Sequence, residues 1–125
     1  MNMRHKFKHK QALPCPIIRE NPRGMNKTED AYAWVLEAMK KSGEIKDYRF
    51  ESINLRMADR TYYRPDFLVV FHTHFEIHEI KGGFVQDDAM VKFKATAELF
   101  PWFKWKMIQG KPHRGSYEWK TLKEF

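Results

Sequence analysis

Cysteine is all but missing from this chain: Cys15 stands alone among 125 residues. That excludes an internal disulfide and a cysteine-built zinc site, and a reducing cytoplasm is the expected setting. Long apolar runs are missing as well, so no segment reads as a bilayer span. The basic N-terminus has no apolar stretch behind it and does not read as a signal peptide. Neither repeats nor low-complexity tracts interrupt the sequence. Acids are absent from its start: residues 1–19 carry Arg4, Lys6, Lys8, Lys10 and Arg19, and the first acid is Glu20.

What is present suits one domain. A chain of this length buries about two-thirds of its unfolded surface, enough for a single core. Hydrophobic residues make up 42% and aromatic residues 15%, which is ordinary for a globular protein. The formal net charge is +7. A basic surface serves solubility, and it equally serves a polyanionic partner. Pro14, Pro16, Pro22 and Gly24 lie among the early cations. Residues 1–24 therefore read as a basic extended arm, whose binding to a polyanion would fall steeply with salt. Residues 25–125 read as the single folded domain.

The spacing predicts a first helix from about Lys27 to Ser42, ending near Gly43, with Tyr32, Val35, Leu36 and Met39 as its buried stripe. Glu29 sits above that stripe at the N-terminal end. Two readings stand for it. It is an acid aimed at a site, or it is half of a capping box, Asn26-Lys27-Thr28-Glu29, folded back onto the Asn26 amide. Strand-like stretches follow. Ile45 to Ser52 is β-compatible, and Ile53, Leu55 and Met57 alternate. Ala58-Asp59-Arg60 reads as a turn. Thr61–Phe71 and Phe75–Lys81 read as two further strands, the second stopped by Gly82-Gly83. A second helix is predicted from Gln86 or Asp87 to Phe100, with Ala89, Phe93, Ala97 and Phe100 buried and an Asp88–Lys92 pair on its surface. Pro101 ends it. Trp102–Gln109 reads as a last core strand, Gly110–Gly115 as a basic loop and Ser116–Leu122 as a short edge strand. The order is helix, a three-stranded hairpin or meander, helix, strand: an α/β fold with a mixed sheet.

A tight turn centred on His72-Thr73 would place Asp66 across from Glu79, with both side chains on one face; a one-residue slip would separate them. In that register the two carboxylates can grip a hard cation such as Mg²⁺ or Mn²⁺, with the Ile80 carbonyl as a neutral ligand. Lys81 points the same way as Glu79, where it can orient a water or offset charge on a phosphorus. Glu29 can hold a cation through water or accept a proton. The bland alternative is a surface acid followed by a Glu and a Lys at an exposed strand end.

The chain resembles the PD-(D/E)xK nuclease superfamily and, within it, a family of small bacteriophage proteins of unassigned function. The resemblance spans about 26–108. It rests on Asn26-Lys27-Thr28-Glu29, Gly43-Glu44-Ile45-Lys46-Asp47-Tyr48, Tyr63-Arg64-Pro65-Asp66-Phe67, His78-Glu79-Ile80-Lys81-Gly82, Asp88-Ala89-Met90-Val91-Lys92 and Phe100-Pro101-Trp102. It implies a restriction-endonuclease-like core, metal ligation by Asp66 and Glu79, a catalytic Lys81, and Glu29 as the upstream acid. The function expected is a Mg²⁺- or Mn²⁺-dependent nuclease acting on DNA. With no recognition helix or zinc finger to read bases, a branch, flap or end is the expected target, and cutting a junction would call for a homodimer. A nucleic-acid-binding accessory protein that does not cut is the alternative, and a protein-interaction module is a third reading.

Nucleic-acid contacts are expected from Arg4, Lys6, Lys8 and Lys10 of the arm, from Lys92, and from Lys104, Lys106, Lys111 and Arg114 near the last strand; a plain solvated face is the competing account. His72, His74 and His78 read as ordinary turn and surface histidines, because no third ligand is evident. Trp102, Trp105, Phe103 and Phe84 read as core rather than as base-stacking platforms.

Overall fold

The structure is a computed structural model that describes residues 24–125; the predicted arm lies, Gly24 apart, outside the described residues. Helix α1 spans Lys27–Lys41. It opens on the expected capping box, in which the Asn26 side chain accepts the Glu29 N–H at 2.8 Å and Glu29 Oε1 accepts the Asn26 N–H at 3.0 Å. It closes at Ser42, and Gly43 takes the positive φ of +85° that lets the chain turn away. Tyr32, Ala33 and Leu36 are its buried residues; Val35 and Met39 pack at the edge of the core.

Strands β1 (Asp47–Phe50), β2 (Leu55–Ala58), β3 (Thr61–Tyr63), β4 (Phe67–Val70) and β5 (Phe75–Lys81) follow. Helix α2 (Asp87–Leu99), β6 (Lys104–His113) and β7 (Ser116–Glu124) complete the chain. Five strands form one mixed sheet in the order β1-β4-β5-β6-β7, and β2 pairs with β3 separately. Only β5 and β6 are parallel, and α2 is the crossover that joins them. Alternation along the strands feeds two cores on opposite faces. Phe67, Val69, Ile80 and Ile108 pack with Tyr32 and Leu36 of α1. Leu68, Ile77, Trp105 and Met107 pack with Phe93 and Ala97 of α2 and with Tyr63 of β3. Among the described residues no helix is long and apolar enough to cross a membrane.

Several expectations are corrected. Thr61–Phe71 is not one strand. It breaks at Arg64-Pro65-Asp66, where proline removes a ladder donor, and its two halves enter different sheets. The basic loop at Gly110–Gly115 is mostly strand: β6 continues to His113, only Arg114-Gly115 turns, and β7 is a nine-residue edge strand. Lys92 makes no ion pair with Asp88; its ammonium lies 5.7 Å from the centre of the Tyr63 ring. Trp105 is buried as expected, but Trp102 and Phe84 are exposed.

Candidate active site

The register of β4 on β5 is the one the His72-Thr73 turn requires. Phe67 pairs with His78 and Val70 with Phe75, so one further step sets Asp66 opposite Glu79. His-Thr is a poor turn by composition, and side chains hold it instead. His72 Nε2 lies 2.8 Å from the Gly43 carbonyl, and the Phe71 and His74 rings stack at 4.8 Å. Pro65 then ends the ladder and leaves Asp66 at the rim.

The two carboxylates are close-set and almost out of water, Asp66 8% and Glu79 9% exposed. Asp66 Oδ2 accepts the Ile80 N–H at 2.8 Å. Glu79 Oε1 accepts the Asp66 N–H at 3.3 Å and the Tyr63 hydroxyl at 2.6 Å, and Lys81 Nζ stands 3.4 Å from Glu79 Oε2. The Ile80 amide thus holds the Asp66 carboxyl. The capping reading of Glu29 holds, and its carboxyl also lies within electrostatic reach of Asp66 and Glu79. Its carboxyl hydrogen-bonds that of Asp66, which requires a proton on one of them. At Asp66 the surroundings favour the neutral carboxyl. Burial, then the charges of Glu79 and Glu29, push its pKa up to about 8 against the Ile80 amide and Lys81. Burial also raises Glu29, helped by Glu51 and Glu79.

Gly82 lies where the start of α1 meets the end of β5, and a Cβ there would lie 2.8 Å from Thr28 Oγ1. Two participants went unrecognised in the sequence. Tyr63 looked like a strand aromatic. Glu51, with its amide bonded to the Asp66 carbonyl at 2.8 Å and a left-handed φ of 48°, lies in the β-compatible stretch Ile45 to Ser52. A non-glycine residue at positive φ is the signal that backbone coordinates add.

Asp66 and Glu79 beside one ammonium, with Glu29 close to both, leave excess negative charge in a poorly hydrated place, and a protonated Asp66 is one way to relieve it. A divalent cation is another, and all the donors are hard oxygens. Among the described residues no three His, Cys, Asp or Glu side chains form a ready-made cage. Two carboxylates completed by waters is a coordination that Mg²⁺ commonly takes.

Lys104 is tied to Glu124 at 2.7 Å and Lys106 to Glu76 at 3.3 Å, which weakens both as phosphate ligands. Lys111 and Arg114 are exposed and in no ion pair among the described residues. Arg4, Lys6, Lys8 and Lys10 lie outside the described residues. His78 is not a surface histidine. It is buried on the α1 face, with Nδ1 2.7 Å from the Tyr32 hydroxyl and Nε2 2.9 Å from Glu76. Burial lowers its pKa, and with an Nε2–H donating to Glu76 its Nδ1 is left to accept from the Tyr32 hydroxyl. Glu76 is also buried. Burial opposes its charge, yet hydrogen bonds from His78 and His74 and the charge of Lys106 hold its pKa down to about 2.

No family model, curated protein or solved structure matches this chain.

Proposed function

We propose that this protein is a metal-dependent nuclease that hydrolyses phosphodiester bonds in DNA, on a restriction-endonuclease-like core and in a cytoplasmic setting. The observation that carries the reading is the buried Asp66–Glu79 pair with Lys81 beside it at the end of β5. The resemblance of the surrounding motifs to PD-(D/E)xK nucleases supports it, and so does the +7 charge. Asp66 and Glu79 would hold Mg²⁺ or Mn²⁺, which when bound lowers the pKa of a water and offsets phosphate charge. The Ile80 amide and Tyr63 hydroxyl fix the two carboxylates. Lys81, the partly exposed member, turns its ammonium from Glu79 to a phosphate oxygen as charge builds there. Glu29, whose pKa burial raises, takes the proton of the attacking water. Without a base-reading element, selectivity falls on DNA structure, and a junction substrate would bring two copies together.

The test is incubation of the protein with supercoiled plasmid, linear duplex and a four-way junction, in Mg²⁺, Mn²⁺ or EDTA, beside Lys81→Ala. Metal-dependent cutting by the wild type that falls by about 10²-fold or more in the variant is expected. Uncut substrates with intact salt-sensitive binding would instead mark a DNA-binding accessory protein.

Tyr63→Phe is expected to weaken the apparent affinity for Mn²⁺ by about 10–100-fold, because the donor that orients Glu79 is gone. Activity titrated against Mn²⁺ reads this. Superimposable wild-type and variant curves would remove Tyr63 from the site.

A further inference from the structure

Strand β6 outruns its parallel neighbour. Lys81 is the last residue of β5 and pairs with Gln109, but β6 continues through Gly110, Lys111, Pro112 and His113, paired with β7 alone. At about 3.3 Å per residue, a two-stranded ribbon projects roughly 13 Å past the edge where Asp66, Glu79 and Lys81 stand.

Register assigns its faces. Gln109 is opposite Lys120 and Lys111 is opposite Glu118. Gln109 also lies beside Lys81 in the sheet, and its Nε2 donates to the Gly83 carbonyl at 2.9 Å. Lys111 and Lys120 therefore continue the face that carries Glu79 and Lys81, with Lys120 two strand spacings, about 10 Å, from Lys81. A depression of about 310 Å³ lies among Gln109, Lys111, Glu118, Trp119 and Lys120. Glu118 is the acid on this face, 3.8 Å from His113 Nδ1. Neither Lys111, Lys120 nor Arg114 is in an ion pair among the described residues, in contrast to Lys104 and Lys106.

The opposite face braces the ribbon. Trp119 covers Gly110, stacks on Tyr117 at 5.3 Å and meets the Tyr32 ring edge-on at 5.0 Å. At the tip Arg114 and Gly115 take φ of 48° and 78°. A turn of that kind favours Asn-Gly, so an arginine there places charge at the end of the ribbon at some conformational cost.

We propose that the β6–β7 ribbon is a phosphate-binding arm: Lys111 and Lys120, with Arg114 at the tip, hold the sugar–phosphate backbone of a DNA duplex beside the bond that Lys81 faces. It rests on the nuclease reading, and it adds Lys120, which the sequence did not single out. The contacts are to phosphate, so the arm contributes affinity and register without sequence preference.

Lys111→Ala combined with Lys120→Ala tests it, against Lys94→Ala with Lys123→Ala as a control of equal charge loss. Binding of a synthetic duplex is followed in EDTA over a range of salt, and cleavage in Mn²⁺. The ribbon variant is expected to reduce the slope of log affinity against log salt by about 2. It is also expected to raise KM with little change in kcat, while the control changes neither parameter. An unchanged slope, or an equal loss in the control, overturns the arm even when the wild type cuts. A slope lost only in the ribbon variant, with no cleavage by any form, keeps the arm and removes the nuclease.

Discussion

Asp66→Asn is expected to abolish cleavage, by about 10³-fold or more, while making the fold more stable at mildly alkaline pH. The first effect follows if Asp66 is a cation ligand, since each tenfold in rate is about 1.36 kcal/mol and a lost ligand removes several. The second follows from the pKa of about 8. From the ordinary carboxylate range up to about 8, the folded protein keeps a proton on Asp66 that the unfolded chain has released. The unfolded state binds fewer protons, so wild-type stability falls as pH rises through that window and levels off above it. Asparagine keeps the shape and an oxygen for the Ile80 amide but has nothing to ionise. The variant should lose this slope and exceed the wild type near pH 8 by on the order of a few kcal/mol. A divalent cation at about 100 times its Kd should return about 2.7 kcal/mol to the wild type and little to the variant. Urea unfolding followed by tryptophan fluorescence between about pH 5 and pH 9, with and without Mg²⁺, reads all three effects. Parallel pH curves for the two proteins would refute the buried-carboxylate account, and undiminished cutting by the variant would refute the assignment of Asp66.

Gly110→Val is the second large effect, and it acts through packing. A Cβ at this position would lie 2.3 Å from Trp119 Cζ3, and the indole cannot step aside without leaving Tyr117 and Tyr32. Overpacking of this kind costs about 1–3 kcal/mol, and each kcal/mol lowers the Tm of a domain this size by roughly 4–8 °C. Gly83 offers the comparison, because a Cβ there meets nothing within 4 Å and its φ is not positive. Gly83→Val should melt close to the wild type. Gly110→Val should melt well below it and, with its ribbon displaced, bind DNA more weakly. Equal melting of the two variants would show that the indole is not held as described.

Helix limits and the Asp66–Glu79 register could be read from the chain because each rests on local rules. Asn26 and Glu29 at capping spacing, with Gly43 beyond, bracket α1, and the two-residue period of strands carries pairing from His72-Thr73 to Asp66. Features that depend on distant partners could not be read. Pro65 marks a break, but nothing local shows that Thr61–Tyr63 leaves for a second sheet. Lys111-Pro112-His113 has a loop's composition, yet it pairs with Glu118, Tyr117 and Ser116 of β7 and prolongs the strand. His78 looks like any strand histidine until α1 brings the Tyr32 hydroxyl to it from 46 residues away. Tyr63 gains its place at the site only once the β2–β3 hairpin folds over β5, a matter of packing rather than spacing.

Glu29 joins two things that are separate in most helical proteins. One oxygen of its carboxyl group closes the first turn of α1 on Asn26, and the same group meets Asp66. Fraying at the start of this helix therefore disturbs the surroundings of Asp66 as well as the cap. Any event that pulls the carboxylate toward the sheet loosens the Asn26 amide, and any opening of the first turn withdraws an acid from the rim. Opening of one helical turn and the state of the carboxylate cluster are thereby linked, and deuterium uptake at the Asn26 amide is expected to change when the cluster does.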